Sequence, residues 1–454
     1  MTVEAAPRAD RRGIRAWMLF DWANQPFQTL VVTFVFAPYF AAEVVGDPVR
    51  GQALWGTATA IGGAIIAVLA PVLGAVADRT GARKRWVLAF SAPYLVGCIA
   101  LWIAAPGLPD VTPVLAAYLL AYLGSEFGTV FTNAMLPGLA PRRELGRISG
   151  SGWALGYLGG LVSLVVVLLL LVPAPGSTLT LADIPPVFGL DVAAGEPARA
   201  SGPLSALWYL VFAVPLFLFT PDEPARHAPG AVRAGLADLA ATFRLAARNR
   251  SFFAFLGASM LYRDALAALF TFGGIYAAGV LGWGMFELGV FGIVAATIGA
   301  AGAWAGGRAD HAFGPLPVVV ACCWLLILVC AVLLLTTRES VLGFAVAPDS
   351  RLPDRLFMAL GGLIGAAGGA LQAASRTLVV DQAEGRVAPA QAFGLFALSG
   401  RVTAFIGPAA IAAVTAATGS QRLGISPVIL LFLTGLALLY FVKTETEQSG
   451  THAA

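Results

Sequence analysis

Long apolar runs recur along the whole chain, separated by short breaks that are charged or rich in proline and glycine. Each run has roughly 18 to 25 residues, the length of a helix that crosses the hydrocarbon core of a bilayer. Of all residues, 58% are hydrophobic and only 12% are charged, against about 25% charged in soluble domains. Strands of a membrane barrel would be about 10 residues long with alternating polarity. The sequence therefore predicts an all-α integral membrane protein.

Twelve transmembrane helices are predicted, six before and six after a charged linker at 221–250. The N-terminal half, 1–220, holds helices 1 to 6 at 17–41, 53–77, 86–105, 111–136, 149–172 and 203–220. The C-terminal half, 251–454, holds helices 7 to 12 at 251–279, 285–307, 316–336, 355–378, 391–417 and 425–442.

Basic residues are distributed unevenly between the two sides of this arrangement. If the N-terminus is cytoplasmic, most of the 28 Arg and Lys residues lie in cytoplasmic segments. Those on the opposite side are Arg50, Arg199, Arg338, Arg351, Arg355 and Arg422. The positive-inside rule then places both termini in the cytoplasm, and we expect a multi-pass protein of the plasma (inner) membrane.

The two predicted halves repeat short patterns at similar offsets. Gly74 and Asp78 at the end of helix 2 recur as Gly306 and Asp310 at the end of helix 8, both 232 residues later. A second set recurs 248 residues later, from helix 5 to helix 11: Ser151, Gly152 and Gly159 match Ser399, Gly400 and Gly407. Such offsets predict two homologous six-helix halves in parallel orientation.

Several motifs resemble those of a known transporter family. Residues 74–84 (GAVADRTGARK) resemble the signature between helices 2 and 3 of the major facilitator superfamily. Five further motifs resemble the branch containing the autophagy-related vacuolar amino-acid effluxers and their bacterial relatives: 20–24 (FDWAN), 133–137 (NAMLP), 152–160 (GWALGYLGG), 375–376 (SR) and 393–400 (FGLFALSG). The resemblance implies the pseudo-symmetric major facilitator fold, transport by alternating access, and amino-acid efflux.

The chain departs from the branch pattern at two places. In helix 7 the branch typically has Tyr-Asn-Asp-Gly, whereas this chain has Tyr262-Arg263-Asp264-Ala265. Before helix 11, an acidic residue usual in the branch is Gln391 or Ala392 here. The first change adds a positive charge near the middle of a span.

Five charged residues that fall clearly within the predicted spans mark the candidate binding site. They are Asp21 in helix 1, Glu126 in helix 4, Arg263 and Asp264 in helix 7, and Arg401 in helix 11. An ionised group in the bilayer centre is costly, so it is expected to face protein or water. Asp21, Asn24 and Gln28 share one helix face, as do Glu126, Thr129 and Asn133. With Gln372 of helix 10 and the two charges of helix 7, these residues form the predicted substrate or proton site.

A second group of residues is predicted to form a gate. In superfamily members with this signature, the aspartate at the end of helix 2 bridges the two halves when the cytoplasmic side is closed. We therefore expect Asp78 to meet the start of helix 11 or Arg401. A local ion pair of Asp78 with the basic residues that follow it is the alternative. The predicted gating residues are Gly74, Asp78, Arg79, Gly81, Arg83, Asp310 and Arg401.

The sequence also excludes several functions. It contains no G-x-x-x-x-G-K-[ST] phosphate loop, so an ATP-driven pump within this chain is not expected. Its histidines lie outside the spans and its cysteines lack metal-like spacing, so neither a cofactor nor a metal is predicted. We expect a proton-coupled or facilitative transporter of a small solute such as an amino acid, a monomer in the lipid bilayer with no nucleic-acid partner. The alternatives are a carrier of anionic metabolites or drug-like compounds, and a membrane-embedded enzyme acting on a lipid-linked substrate.

Overall fold

The structure is a computed structural model of the 454-residue chain. It describes residues 9–174, 177–226, 230, 233–235, 237, 249–281, 283, 285–347, 349–384, 386–404 and 406–443. Most of the predicted linker at 221–250 lies outside the described residues.

Helices dominate the described part of the chain. The N-terminal half has six main helices: α1, whose first part is the regular α-helix Arg11–Pro26, α2 Pro48–Thr80, α3 Arg83–Ala100, α4 Thr112–Met135, α5 Arg142–Leu170 and α6 Ser201–Phe219. The C-terminal half has α7 Arg250–Leu281, α8 Met285–Phe313, α9 Pro315–Leu334, α10 Leu352–Ala383, α11 in two segments, Pro389–Val402 and Ile406–Thr418, and α12 Ser426–Leu439. A two-stranded hairpin, β1 Ser340–Val341 and β2 Phe344–Ala345, connects α9 to α10. Eleven described helices are long and apolar enough to cross a membrane, and the second segment of α11, Ile406–Thr418, is a shorter apolar helix.

The interruption of α11 has a local cause. The predicted helix at 391–417 is not continuous, because its second segment carries Pro408 in its first turn. Proline has no N–H to donate to the carbonyl four residues earlier, and its ring clashes with that carbonyl. The affected carbonyl is that of Ala404, which lies in the turn between the segments.

A proline also changes the course of α1. After Pro26 the chain continues as a π-helix over Phe27–Phe34, a short α-helical stretch Phe36–Tyr39 and a second π-helix Phe40–Val44. Pro26 cannot donate to the carbonyl of Trp22, and the indole of Trp208 in α6 donates to that oxygen instead, at 3.1 Å. Short π-helical stretches are frequent at functional sites.

The described residues group into two compact units. The first comprises those within 1–69, 80–140 and 155–228. The second comprises those within 70–79, 141–154 and 229–454. The units therefore do not follow the boundary at 221–250, because the last turns of α2 and the first turns of α5 belong to the second unit.

Glycines allow close helix packing inside each unit. In the first unit, a Cβ added at Gly160 of α5 would lie 2.4 Å from the Thr29 hydroxyl of α1. In the second unit, a Cβ at Gly365 of α10 would lie 2.1 Å from the Ala295 carbonyl oxygen of α8. Lipid supplies no hydrophobic drive for helix association, so this close approach is a main source of packing energy.

Candidate functional site

Polar side chains of α1 and α4 meet inside the first unit. The Asn24 amide donates to Thr129 Oγ1 at 3.2 Å, and Asn24 Oδ1 accepts from the Ser125 hydroxyl at 3.0 Å. The Thr129 hydroxyl donates to the Ser125 carbonyl one turn earlier. Ser125 was not predicted as a site residue, although its place beside Glu126 and four residues before Thr129 was an available signal. The two polar helix faces predicted from spacing therefore contact each other.

These two faces are the half-buried sides of otherwise well-packed helices. Gly156 of α5 lies behind α1, since a Cβ added there would be 3.5 Å from the Asp21 Cβ. Within membrane-spanning helices, carboxylates on such a face must meet protein, water or a bound solute. The half-buried positions are Asp21, Asn24 and Gln28 in α1 and Glu126, Thr129 and Asn133 in α4.

In the second unit, Arg263 of α7 is directed at α11. Its Nη1 donates to the Phe396 carbonyl at 2.9 Å, and its guanidinium lies 4.2 Å from the centroid of the Phe396 ring. A Cβ added at Gly400, one turn further along, would collide with the same guanidinium at 2.5 Å. A glycine at this position therefore provides the space that the arginine occupies. The neighbouring Asp264 is buried.

Helix α10 carries two further polar groups. Gln372 is half-buried, whereas every other residue of 371–380 is buried. Arg376 is 3% exposed and lies 5.3 Å from the centroid of the Trp153 ring. Arg376 was not among the predicted intramembrane charges, because it lies only two residues before the predicted helix end at 378, whereas the observed helix continues to Ala383. The longer helix places this arginine within the membrane segment.

Asp78 caps the start of α11. Its two carboxylate oxygens accept the backbone N–H groups of Ala390 at 3.1 Å and Gln391 at 2.8 Å. The first N–H groups of a helix have no partner within the helix, and Ala388, at the capping position of α11, has no side chain that can accept them. Asp78 thus supplies from α2 the cap that α11 lacks.

Glycines bring α2 and α11 together around this cap. A Cβ added at Gly74 would lie 2.4 Å from the Ala390 carbonyl oxygen, and one at Gly394 would lie 2.6 Å from the Ala70 carbonyl oxygen. Larger side chains at either position would separate the helices. The contact between Asp78 and α11 therefore depends on both glycines.

The repeated residues in the second half have a different environment. A Cβ added at Gly146 of α5 would lie 2.5 Å from the Asp310 carboxyl carbon. Asp310 is 4% exposed, and its Oδ2 has no hydrogen-bond partner among the described residues. Gly146 lies four residues inside α5, where the backbone N–H groups are already used by the helix. Unlike Asp78, Asp310 therefore does not cap a helix within the described part of the chain.

A cavity of about 500 Å³ lies beside Asp310. Arg142, at the start of α5, forms ion pairs with Asp381 at 2.8 Å and Glu384 at 2.9 Å. His311 Nδ1 contacts the Arg143 carbonyl. The cavity is lined by Arg142, Arg143, Asp310, His311, Phe313, Gly314, Pro315, Leu316, Pro317, Thr377, Leu378, Asp381 and Gln382.

The remaining predicted gating residues lie around the turn between α2 and α3. Gly81 has φ +64°, and a Cβ there would meet the Pro224 carbonyl oxygen at 2.5 Å. Arg83 pairs with Glu223 at 2.9 Å. Asp222 accepts the backbone N–H groups of Arg83 and Lys84 and so caps α3. Arg79 is exposed, and the side chain of Arg401 lies outside the described residues.

Comparisons with known proteins agree with this architecture. The family model described as vacuole effluxer Atg22 like matches residues 140–451, and the major facilitator superfamily model matches residues 8–164. An uncharacterized MFS-type transporter of Bacillus subtilis (strain 168), YxiO, is 24% identical over 442 residues, 95% of each chain.

Solved transporter structures share the fold. The Escherichia coli fucose:proton symporter FucP has a TM-score of 0.70 at 15% identity, over 95% of this chain and 98% of that one. The human organic anion transporter TETRAN has a TM-score of 0.65 at 19% identity, over 94% and 99%.

The predicted fold of twelve helices in two six-helix halves is confirmed. The chain is a multi-pass membrane protein of a family whose members bind small-molecule substrates and are transporters, not enzymes. The interpretation as a membrane-embedded enzyme is therefore set aside. The matched family models and the observed helices together show that the chain belongs to the Atg22-like branch of the major facilitator superfamily and is a membrane transporter.

Proposed function

We propose that this transporter moves a small solute bearing an ammonium group, such as an amino acid, by alternating access coupled to protons. The observation that carries the proposal is the α1–α4 polar face, in which two carboxylates, Asp21 and Glu126, flank the hydrogen-bonded Asn24 and Thr129. Carboxylates held in membrane-spanning helices select a positively charged partner, because an uncompensated charge there is costly.

The second unit, taken by itself, carries groups of opposite sign. Arg263 and Arg376 lie on α7 and α10, and a guanidinium can bind a carboxylate through two parallel hydrogen bonds. In the present structure Arg263 donates to a backbone carbonyl of α11, so binding a substrate carboxylate requires that it exchange this partner. A zwitterionic solute carries an ammonium group that carboxylates bind and a carboxylate that guanidinium groups bind. Export, rather than uptake, is what resemblance to the effluxer branch implies.

A second candidate is a carrier of organic anions. It is favoured by the two arginines within membrane helices, Arg263 and Arg376, of which Arg376 is almost fully buried. A substrate without an ammonium group would then depend on these arginines and not on the α1–α4 carboxylates.

Uptake and counterflow in sealed proteoliposomes distinguish these candidates. The full chain is reconstituted and offered radiolabelled amino acids, organic acids and sugars, with and without a pH gradient. We expect amino acids to be transported, and we expect Glu126→Gln to reduce this transport strongly. Glu144→Gln is the matched control, because Glu144 is a partly exposed carboxylate at the start of α5 that pairs with Arg147. Transport of organic acids that is insensitive to Glu126→Gln would reject the ammonium proposal in favour of the second candidate.

A further inference from the structure

Asp264 lies in the middle of a membrane-spanning helix. It is the fifteenth residue of the span Arg250–Phe270 in α7, and its side chain is 3% exposed. Its Oδ2 has no hydrogen-bond partner among the described residues. A carboxylate in this setting must either be compensated by a cation or carry a proton.

The cations near Asp264 have other contacts. Arg263 is adjacent in sequence, so its side chain leaves α7 about 100° away, and its Nη1 donates to the Phe396 carbonyl. Arg376 of α10 is directed at the Trp153 ring. On α7 itself, the Tyr262 hydroxyl is hydrogen-bonded to Ser375 of α10. On the elements packed against α7, the other charged groups are Arg422 of the short helix Gln421–Gly424, the charges at the ends of α8 and α10, and Arg401, whose side chain is outside the described residues. The described segment of α12 has none.

The interruption of α11 lies directly beside Asp264. Thr403, in the turn between the two segments, is next to the Asp264 carboxyl group. The Thr403 hydroxyl is buried and has no hydrogen-bond partner among the described residues. Gly407, one residue before the proline that interrupts the helix, packs on the α7 backbone, since a Cβ there would lie 3.2 Å from the Asp264 carbonyl oxygen. Two buried polar side chains thus lie next to each other at the turn between the two segments of α11.

We infer that Asp264 is a proton-binding site of this transporter, and that the interrupted part of α11 responds to its protonation. This inference rests on the proposed proton-coupled function and names the residue and the helix involved. In the protonated state the neutral carboxyl group can donate its O–H to a polar group of the α11 turn. The proton comes from water on one side of the membrane and returns to water on the other, so no further reactant is required.

The same helix carries the cap at its other end. The first segment of α11 begins at the residues bound by Asp78 and ends at the turn beside Asp264, 14 residues in all. Rigid helical segments are one kind of element that carries coupling between two sites, and this segment joins the Asp78 cap to the turn beside Asp264. Loss of the proton would place a charge beside Thr403 and favour a different arrangement of the turn.

Infrared spectroscopy of the reconstituted full chain tests this inference without a known substrate. The carbonyl band of protonated carboxyl groups is recorded while the pH is raised. We expect a band at neutral pH that is missing in Asp264→Asn. Asp310→Asn is the matched control, because Asp310 is also a buried carboxyl with an unpartnered oxygen but lines a cavity. It should retain the Asp264 band.

A second variant separates a loss of the proton from a loss of the fold. Asp264→Glu keeps a carboxyl group and should restore a band at a shifted frequency. Identical spectra for the wild type and a folded Asp264→Asn would overturn the inference. The measurement does not depend on transport, so amino acids could fail in the uptake assay while the Asp264 band is present, and only the proposed substrate class would then be rejected.

Discussion

Replacing Asp78 with alanine should expose the first turn of α11 to exchange. Asp78 accepts two backbone N–H groups there, those of Ala390 and Gln391. Removing a capping side chain costs about 0.5–2 kcal/mol, and each 1.4 kcal/mol is about tenfold in an equilibrium constant. If these amides exchange through local opening of the first turn, their exchange should become about 2- to 30-fold faster. Asp78→Asn, which keeps one acceptor oxygen, should give an intermediate value.

Hydrogen–deuterium exchange in nanodiscs measures this effect on the peptide that covers 388–395. Asp222→Ala is the matched control, because Asp222 caps α3 in the same way through Arg83 and Lys84. It should accelerate exchange at the start of α3 and leave α11 unchanged. Unchanged protection of α11 in a folded Asp78→Ala protein would refute the capping argument.

The same change should alter the balance between conformational states. A contribution of about 0.5–2 kcal/mol is enough to shift two states that differ by a few kcal/mol. If the cap forms only when the predicted cytoplasmic side is closed, Asp78→Ala should increase the inward-open population. Distances between spin labels at the adjoining ends of α2 and α11 should then lengthen. A distance distribution identical to that of the wild type would leave Asp78 with a purely local role.

Three further changes give separate tests. Glu126→Gln should remove the pH dependence of transport while leaving thermal unfolding unchanged, and a wild-type pH profile would exclude a role for this carboxyl. Arg263→Lys should weaken substrate binding in a thermal-shift titration, because an ammonium cannot reproduce bidentate hydrogen bonding; wild-type affinity would contradict this. Gly365→Ala should destabilise the protein by about 1–3 kcal/mol through a clash with the Ala295 carbonyl. Gly56→Ala, at a helical glycine with open space around it, should be neutral, and equal unfolding temperatures for both variants would reject the packing argument.

Much of the fold follows from local properties of the sequence. The length and polarity of the apolar runs determine which segments cross the membrane, because an unpaired backbone in lipid is too costly for any other arrangement. The spacing of Asn24, Glu126 and Thr129 was enough to predict which side of each helix is polar. Residues at three- and four-residue intervals share a face whatever the helix packs against.

Helix ends and interruptions were harder to predict. Helix 10 was predicted to end at residue 378, two residues after Arg376, whereas the helix continues to Ala383 and holds Arg376 more than one turn from its end. Helix 11 was predicted to be continuous, although it contains Pro408. A proline inside a membrane helix can be accommodated by neighbouring helices, so its presence alone does not predict whether the helix continues.

The partners of the charged groups were decided by the tertiary structure. Asp78 and Asp310 occupy equivalent places in the two repeats, yet Asp78 caps α11 while Asp310 faces Gly146 beside a cavity. Arg263 was predicted to face a substrate or a carboxylate, and its guanidinium contacts the backbone and a ring of α11. The sequence determines which residues lie on a helix face, because that depends on helical periodicity alone. The group that each side chain meets depends on the crossing and depth of another helix far away in the chain, and only packing in three dimensions decides it.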